Sequence, residues 1–259
     1  MNMTDSLFSV REKVVLVSGG SRGIGRAIAE GFSDRGAKVI ISSRDASVLH
    51  DAAKAIGAEA IACDVADKQA CESLVDRVIE EHGQIDTLIN VAGVNRRKPA
   101  LEINDDDYDF VMDINLRGAF RLSQLVGKTM LERGQGSQIN IASLNNDRPL
   151  NHVAVYAMSK AGLVHMTRAL ALEWGGKGVR VNALAPGFIL TDLTQELWSS
   201  PVMQDWGLSV TPMRRLGTPE DMVGTAVFLA SEASAFMTGQ CLFVDGGCSA
   251  GMEWPIDRT

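Results

Sequence analysis

The chain has no cysteine or histidine spacing of the kind that disulfide or metal chemistry uses. Its four cysteines, Cys63, Cys71, Cys241 and Cys248, are scattered without a C-x-x-C, so they read as reduced small hydrophobes. The four histidines, His50, His82, His152 and His165, form no H-E-x-x-H or comparable pattern, and metal catalysis finds no support. No run approaches the roughly 18 to 20 uninterrupted apolar residues needed to cross a bilayer. Residues 1–10 carry neither a basic region nor a long apolar stretch, so no secretory leader is expected. Positive charge is also short. The net charge of −7 argues against a nucleic-acid partner and suits a cytoplasmic enzyme acting on a small molecule.

What the chain does have is enough apolar sequence for one large core. It has 259 residues, 46% hydrophobic, with 25 glycines, only 7 prolines, and no repeat or low-complexity linker. Short apolar runs predict strands at Val14–Ser18, Val39–Ser42, Ala60–Cys63, Thr87–Asn90, Gln138–Ile141, Arg180–Leu184 and Cys241–Val244. Helical patterns lie between them at Gly25–Arg35, Ala46–Ile56, Lys68–His82, Asp106–Arg133, Val155–Trp174 and Pro219–Ala230. The alternation predicts an α/β fold: a single doubly wound Rossmann-type domain with a seven-stranded parallel sheet and helices on both faces. Its ligand belongs at the carboxyl ends of the strands. The acidic run Asp105-Asp106-Asp107 suits a helix start. Thr191–Leu216 breaks the alternation, and its Trp198, Met203, Trp206 and Met213 suggest a lid over a substrate.

Two stretches carry chemistry. Tyr156 and Lys160, in Y-A-M-S-K, stack on one helix face about a turn apart. A tyrosine with its ordinary pKa of about 10 exchanges protons poorly at neutral pH. A neighbouring ammonium stabilises the phenolate and is expected to pull that pKa down. After the first strand, Gly19, Gly23 and Gly25 give G-x-x-x-G-x-G, where a pyrophosphate can approach a helix N-terminus. The second strand ends in Ser43-Arg44, where an NAD-selective site usually places a carboxylate. Arg44 and Arg22 instead suit a ribose 2′-phosphate, which favours NADP over NAD, although Asp45 lies close.

These motifs, with N-V-A-G at 90–93, Asn115, Ser143, Pro186-Gly187 and Thr191, resemble the short-chain dehydrogenase/reductase family over residues 8–250. Ser18 and Val91 depart from the family pattern at supporting positions. The resemblance implies Tyr156 as general acid/base and Lys160 as its partner. Ser143 would be the hydrogen-bond donor to the substrate oxygen, and Asn115 the holder of a relay water. It implies cofactor contacts from Gly19, Ser21, Arg22, Gly23, Ile24 and Gly25, from Ser43, Arg44, Asp64 and Val65, and from Asn90, Ala92 and Gly93. Pro186, Gly187, Ile189 and Thr191 would join Tyr156 and Lys160 at the nicotinamide end. It also implies a homotetramer, with Pro219–Ala230 and the last strand at one interface and the tail Ala250–Thr259, through Trp254-Pro255-Ile256, docked on a neighbour.

Within the family the chain is similar to the gluconate 5-dehydrogenase branch and its 2-keto-3-deoxygluconate relatives. The shared pieces are S-L-F-S-V, Val94-Asn95-Arg96-Arg97, Glu173-Trp174-Gly175, A-P-G-F-I-L-T-D-L-T and T-P-M-R-R-L-G. A sugar acid or polyol substrate is then expected. Arg96 or Arg97 would clamp a carboxylate, or else serve as a surface or interface charge. Asn145 and His152 would contact hydroxyls, and Trp198 and Trp206 would line the lid or anchor it. Rival readings are a 3-oxoacyl thioester reductase that docks an acidic carrier on Arg96, Arg97 and Lys98, a general ketone or steroid reductase, and a non-catalytic dinucleotide sensor.

Overall fold

Seven apolar runs become strands: β1 Val14–Ser18, β2 Lys38–Ser43, β3 Glu59–Ala62, β4 Thr87–Asn90, β5 Gly136–Ile141, β6 Val179–Pro186 and β7 Cys241–Val244. In the computed structural model, which describes residues 6–251, they form one sheet in the order β3-β2-β1-β4-β5-β6-β7. Every neighbouring pair is parallel. Connections of that kind need helical crossovers, and the chain supplies α1 Gly23–Ser33, α2 Ala46–Ile56, α3 Lys68–His82, α4 Asp105–Met112, α5 Ala119–Arg133, α6 Ala154–Trp174, α7 Gln195–Trp198, α8 Pro201–Ser209 and α9 Val223–Ala230.

Strand alternation sorts the core into two layers. Val15, Val17, Val39 and Ile41 face α1, α2 and α9. Val14, Leu16, Ile40 and Leu88 face α3, α5 and α6 on the other side. All eight are buried, and each stabilises the fold by roughly 1.5–3 kcal/mol relative to exposure. The expected doubly wound architecture is what the chain adopts. The strand order reverses between β1 and β4, which opens a crevice at their carboxyl ends.

Helix boundaries moved in three places. The stretch Asp106–Arg133 is not one α-helix: a π turn over Asp113–Gly118 separates α4 from α5. Its apolar periodicity runs on without a proline, and the isolated Gly118 does not by itself mark the wide turn that tertiary contacts reveal. Gly118 sits so close to the loop after β3 that a Cβ would lie 2.8 Å from the Val65 carbonyl oxygen. The cap of α4 is Asn104, whose side chain accepts from the Asp107 N–H, and not the acidic run itself. Pro219–Met222 is a 3-10 turn with a Thr218/Asp221 capping box ahead of α9. Residues 191–216 contain α7 and α8, with a lone bridge between Ile189 and Gly217 at their base. Among the described residues no helix is long and apolar enough to cross a membrane. The expected docking tail, with Trp254-Pro255-Ile256, lies outside the described residues.

Candidate active site

The crevice between β1 and β4 is built from backbone pressed on backbone. Gly19 has φ +83°, and a Cβ there would lie 2.6 Å from the Ala92 nitrogen. A Cβ on Gly25 would lie 2.1 Å from the Gly19 carbonyl oxygen. Gly23, with φ +51°, faces Thr191 across the crevice, since its Cβ would lie 3.5 Å from the Thr191 side chain. Gly20 is equally confined, 2.6 Å from Ile41 by the same construction. Sequence reading passed over Gly20, because it is not part of the spaced triplet.

Helix caps show where an anion would go. Asp45 caps α2 by accepting from the N–H groups of Ser47 and Val48, and Asp67 caps α3 by accepting from those of Gln69 and Ala70. The residue at the N-cap of α1 is Arg22, with no side-chain cap bond. The first N–H groups of α1 are therefore left for an external acceptor, as a pyrophosphate-binding helix requires. Capping also settles what Asp45 does. A hydrogen bond from the Ser47 hydroxyl, those from the backbone and the Arg22 charge hold its carboxyl below the usual range. Asp45 is committed to α2, while exposed Arg22 and Arg44 form no ion pair among the described residues.

Tyr156, Ser143 and Lys160 converge on the other side of the crevice. Ser143 follows β5 and is buried, with its hydroxyl near enough to the Tyr156 phenol to lower that phenol's pKa in part. Lys160 is buried; its Nζ lies 5.7 Å from the Tyr156 ring centroid and donates to the Ile141 carbonyl at 2.7 Å. A Cβ on Gly93 would lie 3.5 Å from that Nζ, so the turn after β4 closes over the lysine. Burial pushes the Lys160 ammonium down to about 8.

The expected fall in the Tyr156 pKa does not occur. Burial pushes the phenol up, and the Ser143 hydroxyl and the Arg97 charge offset it only in part. In this state the phenol is a firmly neutral acid.

Several other assignments change when side-chain partners are followed. Asn115 Oδ1 accepts from the Val94 N–H at 2.8 Å, and its Nδ2 donates to the Val94 carbonyl and to Ser159 Oγ at 2.9 and 3.0 Å. Both donors of that amide are used to clamp the β4 turn to α6, so its side chain braces the site. Asn90 points inward, donating to Ser123 Oγ and Asn140 Oδ1; Asn140 in turn donates to Thr167 Oγ1. This buried polar ladder ties β4 and β5 to α5 and α6. Asn145 donates to Ser143 Oγ and accepts from the Leu150 N–H, so it positions Ser143 instead of reading hydroxyls.

Trp198 is 3% exposed and packs edge-on against Phe188 at 5.3 Å, with Trp206 on the same ring at 5.2 Å. It anchors the 191–216 segment. Arg96 lies 4.2 Å from the Phe110 ring centroid and 3.6 Å from Asp107, away from Tyr156. The exposed His152 has φ +61°, and its carbonyl accepts from the Lys98 N–H at 3.0 Å.

The remaining expected positions are fixed by local bonds or lie in turns. Asp64 accepts from the Ala66 N–H, and buried Val65 is pinned by Arg121 and the Cys71 thiol. The Gly187 N–H donates to the Val244 carbonyl, and Thr194 Oγ1 donates to the Ile189 carbonyl at 2.6 Å, which knots Ile189 to Thr191. Ser21 and Ile24 sit half-buried in the first turn, and Ser43 at the end of β2.

The family profile described as enoyl-(acyl carrier protein) reductase matches residues 19–249. The chain is 37% identical to gluconate 5-dehydrogenase from Gluconobacter oxydans, over 95% of this chain and 98% of that protein. It is 40% identical to D-threitol dehydrogenase from Mycolicibacterium smegmatis, over 93% of this chain and 94% of that one. A gluconate 5-dehydrogenase from Burkholderia cenocepacia, solved in complex with NADP and tartrate, superposes with a TM-score of 0.90 at 33% identity, covering 95% of this chain and 99% of that chain.

Proposed function

The chain belongs to the short-chain dehydrogenase/reductase family, and from that premise we propose that it interconverts a secondary alcohol of a sugar acid and the matching ketone, with NADP preferred over NAD. The enzyme class, an oxidoreductase acting on CH–OH groups, is common to the named relatives. The observation that carries the mechanism is the meeting of Tyr156, Ser143 and Lys160 beside the β1/β4 crevice. The cofactor, held at the Gly19–Gly25 turn, would supply the hydride as NADPH in reduction or accept it as NADP+ in oxidation. Tyr156 gives its phenolic proton to the carbonyl oxygen in reduction and takes it back in oxidation. Ser143 donates to the same oxygen as charge develops there, and Asn145 holds that hydroxyl in place. Lys160 sits behind the phenol, where its charge stabilises a developing phenolate.

The NADP preference is supported by the removal of Asp45 into the α2 cap and by the unpaired Arg22 and Arg44. A sugar acid is supported by the gluconate-acting relative and by the structural neighbour that holds tartrate, itself a hydroxy acid. The D-threitol relative favours a neutral polyol as the second reading. A carrier-bound thioester is disfavoured, because Arg96 and Lys98 both pair with Asp107 at the rim, which leaves the three groups with only one net positive charge. The test is Tyr156→Phe, which should lower kcat by roughly 100- to 10,000-fold while NADP affinity stays near wild type. A variant that keeps most of its turnover would sink the mechanism.

A further inference from the structure

Cys63 and Cys71, both free thiols, are brought together beneath the loop that joins β3 to α3. Cys63 continues β3 by one residue. Its N–H donates to the Ser43 carbonyl at 3.0 Å, and its side chain follows buried Ile61 onto the face that packs against α3. Cys71 stands in the first turn of α3, on the face that this helix buries with Leu74 and Val78. Its sulfur lies 4.0 Å from the Asp64 carbonyl oxygen and 3.5 Å from that of Val65, so it sits directly under the residues that follow Cys63.

The two thiols differ in character. The Cys63 thiol holds Cys71 below the ordinary thiol range against the cost of burial, and the Arg121 guanidinium adds to that pull. Cys63 is pushed up, first by Cys71 and then by burial. Arg121 is fixed for this role, since its Nη1 donates to the Val65 and Ala66 carbonyls at 3.2 and 2.9 Å. One sulfur is the readier thiolate and the other a thiol at its side, the arrangement of an attacking and a resolving cysteine. Neither has a part in the hydride chemistry.

We infer that Cys63 and Cys71 are an oxidation site, at which hydrogen peroxide joins the two sulfurs as a disulfide that loosens the nucleotide end. The Cys71 thiolate attacks one peroxide oxygen: an S–O bond forms, the O–O bond breaks, and the other oxygen leaves as water with the proton that Cys71 gave up. The Cys63 sulfur then attacks the Cys71 sulfur, the S–O bond breaks, and a second water leaves with the Cys63 proton. Two thiols lose two electrons and the peroxide gains them. To reach Cys63, the Cys71 sulfur gives up its contacts with the Asp64 and Val65 carbonyls. Those residues carry the expected cofactor contacts after β3, so the effect on the nucleotide end rests on the cofactor reading above.

The experiment exposes the reduced full chain to hydrogen peroxide, digests it without reductant and maps its disulfides. A Cys63–Cys71 link that dithiothreitol reverses is the expected result. Cys71→Ser should leave Cys63 a free thiol, and Cys63→Ser should leave a sulfenic acid on Cys71 that dimedone captures. Links through Cys241 or Cys248 alone, over-oxidation of Cys71 without a link, or no reaction would each overturn the site. Calorimetry with NADP on the reduced and the linked wild type reads the consequence. Binding should weaken about tenfold, the effect of roughly one hydrogen bond, and recover on reduction. Equal affinity in the two forms would overturn the loosening. A reduced enzyme that does not bind NADP would defeat the cofactor reading instead, and the mapped link would still decide the oxidation site.

Discussion

The two ends of the crevice are held by different kinds of contact. At the nucleotide end backbone meets backbone: Gly25 lies against the Gly19 carbonyl, and Gly19 against Ala92. At the substrate end the 191–216 segment is held by side chains. Trp198 and Trp206 grip Phe188, Thr194 knots Ile189 to Thr191, and Arg215 forks onto Asp221. Leu193, Val202 and Met213 stay exposed along it. Backbone contacts tolerate almost no change, because any side chain fills the space. Side-chain contacts can be exchanged while the segment keeps its course. The shared ligand of a family is therefore read at the rigid end, and the ligand that differs between relatives at the adaptable one.

Gly25→Ala presses hardest on that contrast. Its Cβ would sit 2.1 Å from a carbonyl oxygen, so the turn must open. NADP binding should weaken by 100-fold or more, or the fold should lose roughly 3 kcal/mol or more. Gly224→Ala is the control, because nothing lies within 4 Å of a Cβ there. Near-normal NADP affinity in Gly25→Ala would show that the rigid end is softer than its contacts imply.

Lys160 lies where the two ends join, and it tests whether the join is built for stability. Its folded pKa is about 8 against an ordinary 10.5, so the folded chain binds fewer protons than the unfolded chain between those values. The stability penalty, about 3 kcal/mol, is complete below pH 8 and is relieved as pH rises toward 10.5. Lys160→Met should abolish most turnover. It should also raise stability at pH 7 by a net of about 1–2 kcal/mol, after the loss of the bond to Ile141. Denaturant unfolding of both proteins from pH 6 to 10 measures this, and a variant less stable than wild type at pH 7 would refute it. Arg44→Ala carries the smallest effect, since it trims a side chain at the end where backbone dominates. KM for NADP should rise about 5- to 30-fold, with much less change for NAD. Equal changes for the two cofactors would discard Arg44 as a phosphate contact.

Much of the nucleotide end was legible because backbone demands leave a trace in residue type. Strand β1 and the glycines after it can be read directly, since only a glycine fits where a Cβ would strike a carbonyl. Side-chain direction leaves no such trace. N-V-A-G marks the end of β4, but nothing in those letters says that Asn90 turns inward to Asn140. Arg96 and Arg97 are the same residue type side by side, and only the fold, which brings Asp107 back from α4, shows that Arg96 has an acidic partner. The Tyr156–Lys160 spacing was right as a helix-face argument. It misjudged the pKa because desolvation depends on everything packed around the phenol.

The π turn at Asp113–Gly118 carries a warning for anyone who would redesign this protein toward ideal geometry. A scoring scheme that rewards regular helices would treat that turn as a flaw and remove a residue to mend it. Each residue removed rotates one half of the helix about 100° against the other. The smoother helix would carry Asn115 off Val94 or swing α5 away from the Asn90 ladder. Its irregularity is a setting, and smoothing it would erase the alignment it encodes.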